Sequence, residues 1–374
     1  MGKGGVLARQ ESIRRACRVL VVDDSAVARG IIKKILEEEA GIEVVATAIN
    51  GEQAIRVAEK TRPDLVILDI EMPVLGGMEA LPKLLELGHG PKVIIASGLA
   101  ERAAKLSLEA LKIGASDFVV KPSSGLGGAA AFRDDLVSKV RVHSRGGRSV
   151  MRSRPSLSQS RPAQKDEPRS ATPREKRHTS LRPEIIAIGS STGGPQALTE
   201  VLRFIGPRVT QPILITQHMP PNFTALLADQ LGKVSGRPTK EACDGDVIEE
   251  GKTYLAPGGR HMIVEAKAAG GALLRLTDDP PENSCRPAVD PMLRSIARVY
   301  GDRVLVTILT GMGVDGMKGC ESIVDAGGTV FAQDMETSVV WGMPGAVASA
   351  GLAHSILPIG KVGPAIARVA GGAM

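Results

Sequence analysis

Aromatic residues are nearly missing from this chain of 374 residues: one Trp, two Tyr and five Phe. Glycine is abundant instead, at 43 residues, a balance common in α/β folds with many tight strand–helix turns. Paired cysteines are lacking too. Cys17, Cys243, Cys285 and Cys320 are scattered, without the spacing of a disulfide framework or a zinc site, so a reducing cytoplasm is the expected setting. No apolar run approaches the roughly 18–20 residues that span a bilayer. The segment Met1–Cys17 carries charges but no apolar block, which argues against a secretory signal. Membrane insertion is therefore not expected.

A basic surplus is also absent from most of the chain. The formal charge is +6, yet residues 144–182 alone hold eleven Lys/Arg against three Asp/Glu, a net of +8 that leaves −2 for the remainder. The folded parts thus give no sign of a nucleic-acid surface. That same segment has no aromatic residue, few apolar ones, and much Ser, Thr, Pro and Arg. It cannot bury enough surface to offset its ordering entropy. Residues 144–182 are expected to be a flexible basic linker, spanning roughly 35 Å as a random coil of about 39 residues. The predicted plan is an N-terminal extension over 1–17, one domain over 18–143, the linker, and a second domain over 183–374.

Residues 18–143 alternate short apolar runs with amphipathic stretches. The runs are Arg18–Val22, Glu43–Ala48, Leu65–Leu68, Lys92–Ala96 and Asp117–Val120. Ala26–Glu38 and Gly51–Lys60 read as helices. Five strands alternating with helices imply a parallel sheet covered on both faces. Residues 183–374 repeat the style, with strands at Ile185–Ile188, Ile213–Thr216 and Val304–Leu309 and helices near Ala197–Phe204 and Met317–Asp325. Gly251–Thr277 reads as an antiparallel hairpin. The expected class is α/β: a (βα)5 domain followed by a doubly wound, mainly parallel domain with a hairpin appended.

Ligands of open parallel sheets sit beyond the carboxyl ends of the strands. In the first domain those ends carry Asp23-Asp24, Asp69, Ser97 and Lys121-Pro122. Three carboxylates in one crevice repel and call for a cation, and Mg²⁺ prefers oxygen ligands of this kind. Asp23, Asp24 and Asp69 are the expected metal ligands. Asp69 is the expected phosphoacceptor, Lys121 would neutralise an acyl phosphate there, and Ser97 would donate to it. Single acidic strand ends are more often merely solvated; it is the four signals in order that point to function. This segment resembles the response-regulator receiver family, with its flavodoxin-like fold. The matching stretches are Val21-Val22-Asp23-Asp24-Ser25, Leu68-Asp69-Ile70-Glu71-Met72-Pro73 and Val120-Lys121-Pro122. The resemblance puts Phe118 at the family's switch aromatic. Ala96-Ser97-Gly98 and Leu75-Gly76-Gly77 depart from the commoner versions without removing a group needed for phosphoryl transfer.

In the second domain Ile185–Ile188 runs into Gly189-Ser190-Ser191-Thr192-Gly193-Gly194, a G-x-S-x-G pattern that exposes Ser191 at the head of a helix. Such a turn could equally cradle a phosphate. A serine nucleophile needs a base and an orienting carboxylate. His218 follows the strand Ile213–Thr216, and Asp315 follows Val304–Leu309. A lone His at a strand end is more often structural, but all three residues lie where a parallel sheet brings strand ends together. The order Ser–His–Asp disfavours a standard α/β-hydrolase.

This domain resembles the catalytic domain of the CheB family of protein-glutamate methylesterases. The matching stretches are Ile188–Gly194, Ile215–Pro220, Tyr254–Gly258, Arg286–Asp290, Leu309–Gly316 and Ser338–Pro344. Cys285 departs from the family, which usually has His there; it is expected in the substrate groove and not at the triad. The resemblance implies a chemotaxis esterase acting on γ-glutamyl methyl esters of methyl-accepting receptors, with glutamine deamidation as a second activity. It implies a CheA-type histidine kinase as phosphodonor, recruitment to receptor clusters, and no cofactor in the esterase domain. Backbone N–H groups of Thr192 and Met312 are the oxyanion candidates. Arg203, Arg260 and Arg286 are candidates for contacting acidic receptor surface, with plain solvated roles as good for each. The unphosphorylated receiver is expected to restrain the Ser191 cleft. Two alternatives stay open: an esterase of a non-flagellar signalling pathway, and a phosphorylation-dependent receptor-binding adaptor without catalysis.

Overall fold

A computed structural model of the chain describes residues 15–122, 128–144, 182–206, 208–268 and 270–371. Positions 1–14 of the expected extension and 145–181 of the expected linker lie outside the described residues. The rest forms two compact units, one carrying a five-stranded sheet and one a seven-stranded sheet.

The first sheet is built from β1 (Cys17–Val22), β2 (Ile42–Ala48), β3 (Leu65–Asp69), β4 (Lys92–Ser97) and β5 (Asp117–Val120) in the order β2-β1-β3-β4-β5. All its pairings are parallel, as crossover helices require. The connecting helices are α1 (Ala26–Glu37), α2 (Gly51–Thr61), α3 (Gly77–Leu85) and α4 (Glu101–Ile113), and α5 (Gly128–Ser144) follows β5. Their starts follow local chemistry. Ser25 caps α1 by accepting from the Ala28 N–H at 3.3 Å, and Asn50 caps α2 by accepting from Gln53 N–H at 2.9 Å, each satisfying an otherwise orphaned donor. β3 is buried at every residue, whereas the edge strand β2 is half-exposed. A near-continuous apolar run is what two-sided coverage demands. Val19, Val21, Ile67, Ile94 and Val119 of the sheet pack with Ile32, Leu36, Phe132 and Leu136 of the helices.

The second sheet adds β6 (Ile185–Ser190), β7 (Ile213–Gln217), β8 (Thr239–Glu241), β9 (Thr253–Leu255), β12 (Val304–Ile308), β13 (Thr329–Gln333) and β14 (Ser355–Leu357), in the order β14-β13-β12-β6-β7-β9-β8. Every pairing in it is parallel. Between β9 and β12, β10 (His261–Ala266) and β11 (Ala272–Thr277) form a separate antiparallel hairpin, in register from His261↔Thr277 to Ala266↔Ala272. The helices are α6 (Gly194–Ile205), α7 (Phe223–Ser235), α8 (Val289–Tyr300), α9 (Met317–Asp325), α10 (Met343–Ser349) and α11 (Ile359–Val369). Met262, Val264 and Leu274 of the hairpin join the core formed by Leu214, Val289, Leu293, Ile296 and Val306.

The α/β class and mainly parallel design are borne out. One assignment needs correction. The hairpin occupies only 261–277 of the expected Gly251–Thr277. Thr253–Leu255 is buried at all three residues and joins β7 in parallel; three residues are too few to reveal a period. Among the described residues, no helix is long and apolar enough to cross a membrane.

Candidate functional sites

The order of the first sheet sets β1 beside β3, so Asp23 and Asp69 meet at adjacent strand ends. Asp23 is fully buried and Asp69 nearly so, while Asp24 is exposed. Ligand oxygens of Asp23, Asp24 and Asp69 all lie within 4.8 Å of one another. Lys121 reaches in from the end of β5, its Nζ 2.6 Å from Asp23 Oδ2 and 2.9 Å from Asp69 Oδ2. Burial raises the Asp69 pKa above the ordinary carboxylate range; Lys121 opposes the rise and Asp23 adds to it. Burial works against charge on Lys121, but its contacts with Asp23 and Asp69 outweigh that and raise its pKa. One ammonium among three carboxylates leaves a net negative, all-oxygen cluster. A hard divalent cation such as Mg²⁺ fits that donor set.

Gly77 explains how α3 closes on this site. A Cβ there would lie 2.0 Å from the Asp69 carbonyl oxygen, and the Gly77 N–H donates to the Ile70 carbonyl at 2.8 Å. Ser97 is buried at the end of β4, its hydroxyl directed to the Gly98 carbonyl at 3.4 Å. Phe118 is buried under Lys139, whose ammonium lies 5.2 Å from the ring centroid and donates to the Phe118 carbonyl at 2.6 Å.

The second cluster forms at the rim of β12, β6 and β7, three neighbouring strands. Ser190 closes β6 opposite Gln217 of β7, so Ser191 and His218 leave adjacent strands together. The His218 N–H donates to the Ser190 carbonyl at 3.1 Å. Ser191 is clamped by its backbone: its N–H donates to Thr310 at 3.0 Å, and its carbonyl accepts from Gly194 N–H at 2.8 Å and Gln217 Nε2 at 2.9 Å. Gly193 takes φ +74, the left-handed region, which makes the sharp turn into α6 inexpensive.

Asp315 comes from the loop between β12 and α9 and is buried. Its Oδ2 receives His218 Nε2 at 2.7 Å and the Val289 N–H at 2.6 Å. Its Oδ1 accepts from Asn283 Nδ2 at 2.9 Å, Asp290 N–H at 3.1 Å and Gly316 N–H at 2.9 Å. Burial alone would raise its pKa. The hydrogen bond and charge of His218, with the Val289 and Asp290 amides, outweigh this and hold it below the ordinary range. His218 is the reverse case: burial lowers its pKa, but Asp315 and then Cys285 outweigh burial and bring it to about 9.

His218 and Asp315 are therefore brought into direct contact, with Ser191 at the adjoining strand end. Among the described residues no hydrogen bond joins Ser191 Oγ to the ring; His218 Nδ1 instead faces Cys285 Sγ at 3.3 Å. This corrects the expectation for Cys285, which touches the imidazole itself. Its turn folds back because Glu282 and Cys285 exchange backbone hydrogen bonds at 3.1 and 2.9 Å. Sequence reasoning also missed Asn283, which bridges Asp315 and Asp290, the latter at 3.0 Å. Nothing in its position along the chain announces that contact. Of the oxyanion candidates, Thr192 is buried in the turn after β6 and Met312 is partly exposed after β12. Arg260 and Arg286 both turn to the segment before this site, Arg260 to Asp278 at 3.1 Å and Arg286 to the Asp278 and Asp279 carbonyls at 3.0 and 3.1 Å. Arg203 lies in a groove with Glu200, Phe204 and Ile359.

Residues 186–366 match the family described as CheB methylesterase, and residues 19–126 match the response regulator receiver domain. A protein-glutamate methylesterase/protein-glutamine glutaminase 1 of Paramagnetospirillum magneticum is 50% identical over 368 residues, covering 94% of this chain and 96% of the relative. One of Azospirillum brasilense is 48% identical over 365 residues, covering 94% and 92%. The crystal structure of the Thermotoga maritima CheB methylesterase catalytic domain is 40% identical, covers 50% of this chain and all of that one, and superposes with a TM-score of 0.49.

Proposed function

The chain belongs to the CheB methylesterase family and carries a receiver domain, and on that premise we propose that it hydrolyses glutamyl methyl esters, and deamidates glutamines, on chemoreceptors under control of phosphorylation at Asp69. The observation that carries this reading is the His218–Asp315 contact of 2.7 Å at the strand end next to Ser191. With Nε2–H donating to Asp315, Nδ1 is the nitrogen left to act as base. Ser191 Oγ attacks the ester carbonyl while Nδ1 takes its proton. Asp315 holds the tautomer and offsets the imidazolium charge. Backbone N–H groups of Thr192 and Met312 stabilise the oxyanion, each such donor worth about 10²–10³ in rate. The imidazolium then gives its proton to the ester's methoxy oxygen, which leaves as methanol, or to the amide nitrogen, which leaves as ammonia. Water repeats the sequence and releases glutamate from Ser191.

In the receiver, Asp23, Asp24 and Asp69 would hold Mg²⁺, which when bound neutralises charge during phosphoryl transfer. Asp69 accepts the phosphoryl group from a CheA-type kinase. Lys121 pairs with it and Ser97 donates to an oxygen, while Phe118 follows the change. A phosphoryl group adds a charge of about −1.5 to −2, and a tenfold shift between restrained and active populations needs only about 1.4 kcal/mol. The protein would work in the cytoplasm at receptor clusters, with methyl-accepting receptors as substrate.

The test is methanol release from methylated receptor membranes by the full chain, with and without a small-molecule phosphodonor. Release that rises with the donor, fails to rise in Asp69→Asn and vanishes in Ser191→Ala is expected. Equal release in all four conditions contradicts the reading.

A further inference from the structure

The loop between β11 and α8 brings a further side chain, besides that of Asp315, to the imidazole. Asn283 and Ser284 both take left-handed backbone, at φ 52 and 64, a conformation that persists for non-glycine residues only where the surroundings enforce it. Here they do. Glu282 is fixed by Arg294 through two contacts of 2.7 and 2.6 Å. Asn283 is tied to Asp315 and Asp290, and Arg286 to the Asp278 and Asp279 carbonyls. The turn is anchored on both sides of Cys285, and its Sγ is left 3.3 Å from His218 Nδ1.

That nitrogen is the one the reaction needs. Nε2 is committed to Asp315, so Cys285 and Ser191 compete for the same ring position. We propose that Cys285 is a positioning residue that engages His218 Nδ1 in the resting enzyme and so sets how readily the ring becomes available to Ser191. The inference rests on Ser191, His218 and Asp315 acting as a triad. In the resting arrangement both ring N–H groups have acceptors, the Asp315 carboxylate and the Cys285 sulfur. A ring held this way keeps its second proton, in keeping with a His218 pKa of about 9, to which Cys285 contributes.

The other charged groups around the ring do not offer the same control. Asp290 is one step away, behind Asn283 and Asp315. Glu282 is paired with Arg294. Arg286 points to the 278–279 carbonyls. From β6 and β7 the neighbours are Ser190 and Gln217, hydrogen-bonded to each other at 2.7 Å. Among the described residues, Cys285 and Asp315 are the two titratable groups in contact with the imidazole.

The experiment is an NMR titration of the His218 ring nitrogens in the full-length chain, parent against Cys285→Ala and Cys285→Ser. Removing the sulfur takes an acceptor from the imidazolium, so the midpoint should fall by about half a unit or more in Cys285→Ala. It should fall less in Cys285→Ser, whose hydroxyl still accepts. The rising limb of methanol release against pH should move by the same amount, giving about threefold more activity on the steep part of the limb relative to each enzyme's own plateau. Because Cys285→Ser is nearly isosteric, it keeps the question open to test if the alanine variant does not fold. A His218 midpoint that superimposes on the parent in either folded variant overturns the proposal. The titration reads the ring directly and does not depend on catalysis. If Ser191→Ala still releases methanol, the triad reading fails on its own account, separately from this result.

Discussion

Asp315→Asn removes one charge and almost no volume, so its effect is set by the five donors around the carboxylate. Three of them, Asn283 Nδ2, Asp290 N–H and Gly316 N–H, converge on Oδ1, and two, His218 Nε2 and Val289 N–H, on Oδ2. An asparagine keeps its carbonyl where three donors meet and must put its amide where two do. The Val289 N–H then faces another donor in a buried site, at a cost of about 1–3 kcal/mol. For a domain of this size that corresponds to roughly 2–4 °C in Tm per kcal/mol. His218 can satisfy the amide only by accepting through Nε2, which moves the ring proton to Nδ1 and abolishes the base. A wrong-tautomer defect of this kind costs on the order of 10⁴ in turnover. The assay is methanol release by the purified full chain, alongside thermal unfolding. An Asn variant within about tenfold of the parent rate would refute the reasoning, because a tenfold loss is only about 1.4 kcal/mol.

The pH dependence should track the raised pKa of His218. Activity needs the neutral ring, so release should rise with pH and level off above about 9. Stability runs the other way: the native state favours the proton, so the benefit is complete below the unfolded value of 6.5 and lost as pH climbs through about 9, which denaturant titrations at several pH values will read. In Gly311→Ala, the new Cβ would lie 2.4 Å from Met343 Sδ and 2.9 Å from Ser191 Cβ. Overpacking should cost about 1–3 kcal/mol, and the displaced serine should lose on the order of 10² in turnover, seen as a fall in turnover in folded protein. Lys121→Met removes the ammonium between Asp23 and Asp69. Like charges then face each other at buried positions, so Tm should drop by an amount worth about 3–5 kcal/mol and recover with added Mg²⁺ more steeply than in the parent.

Much of this was legible in the chain because parallel sheets gather chemistry at one edge. Asp23, Asp69, Ser97 and Lys121 each stand at or just after a strand end, so knowing the strands was enough to bring them together. His218 and Asp315 were found the same way. What escaped depends on contacts that no local period encodes. Cys285 reaches a ring 67 residues away because two residues before it adopt left-handed backbone, and no pattern of apolar residues announces such a turn. Asn283 reads as an ordinary loop residue until Asp290 and Asp315 are seen on either side of it. Thr253–Leu255 is legible as apolar, yet three residues do not say whether they pair with a hairpin or with the main sheet.

Ser191 as nucleophile is the claim on which the mechanism depends, and covalent trapping tests it most directly. The full chain would be incubated with a fluorophosphonate and the adduct located by peptide mass spectrometry. A single adduct on Ser191, absent in His218→Ala and accompanied by loss of methanol release, is the predicted result. An adduct on another residue, or undiminished release from protein fully modified at Ser191, would contradict the account.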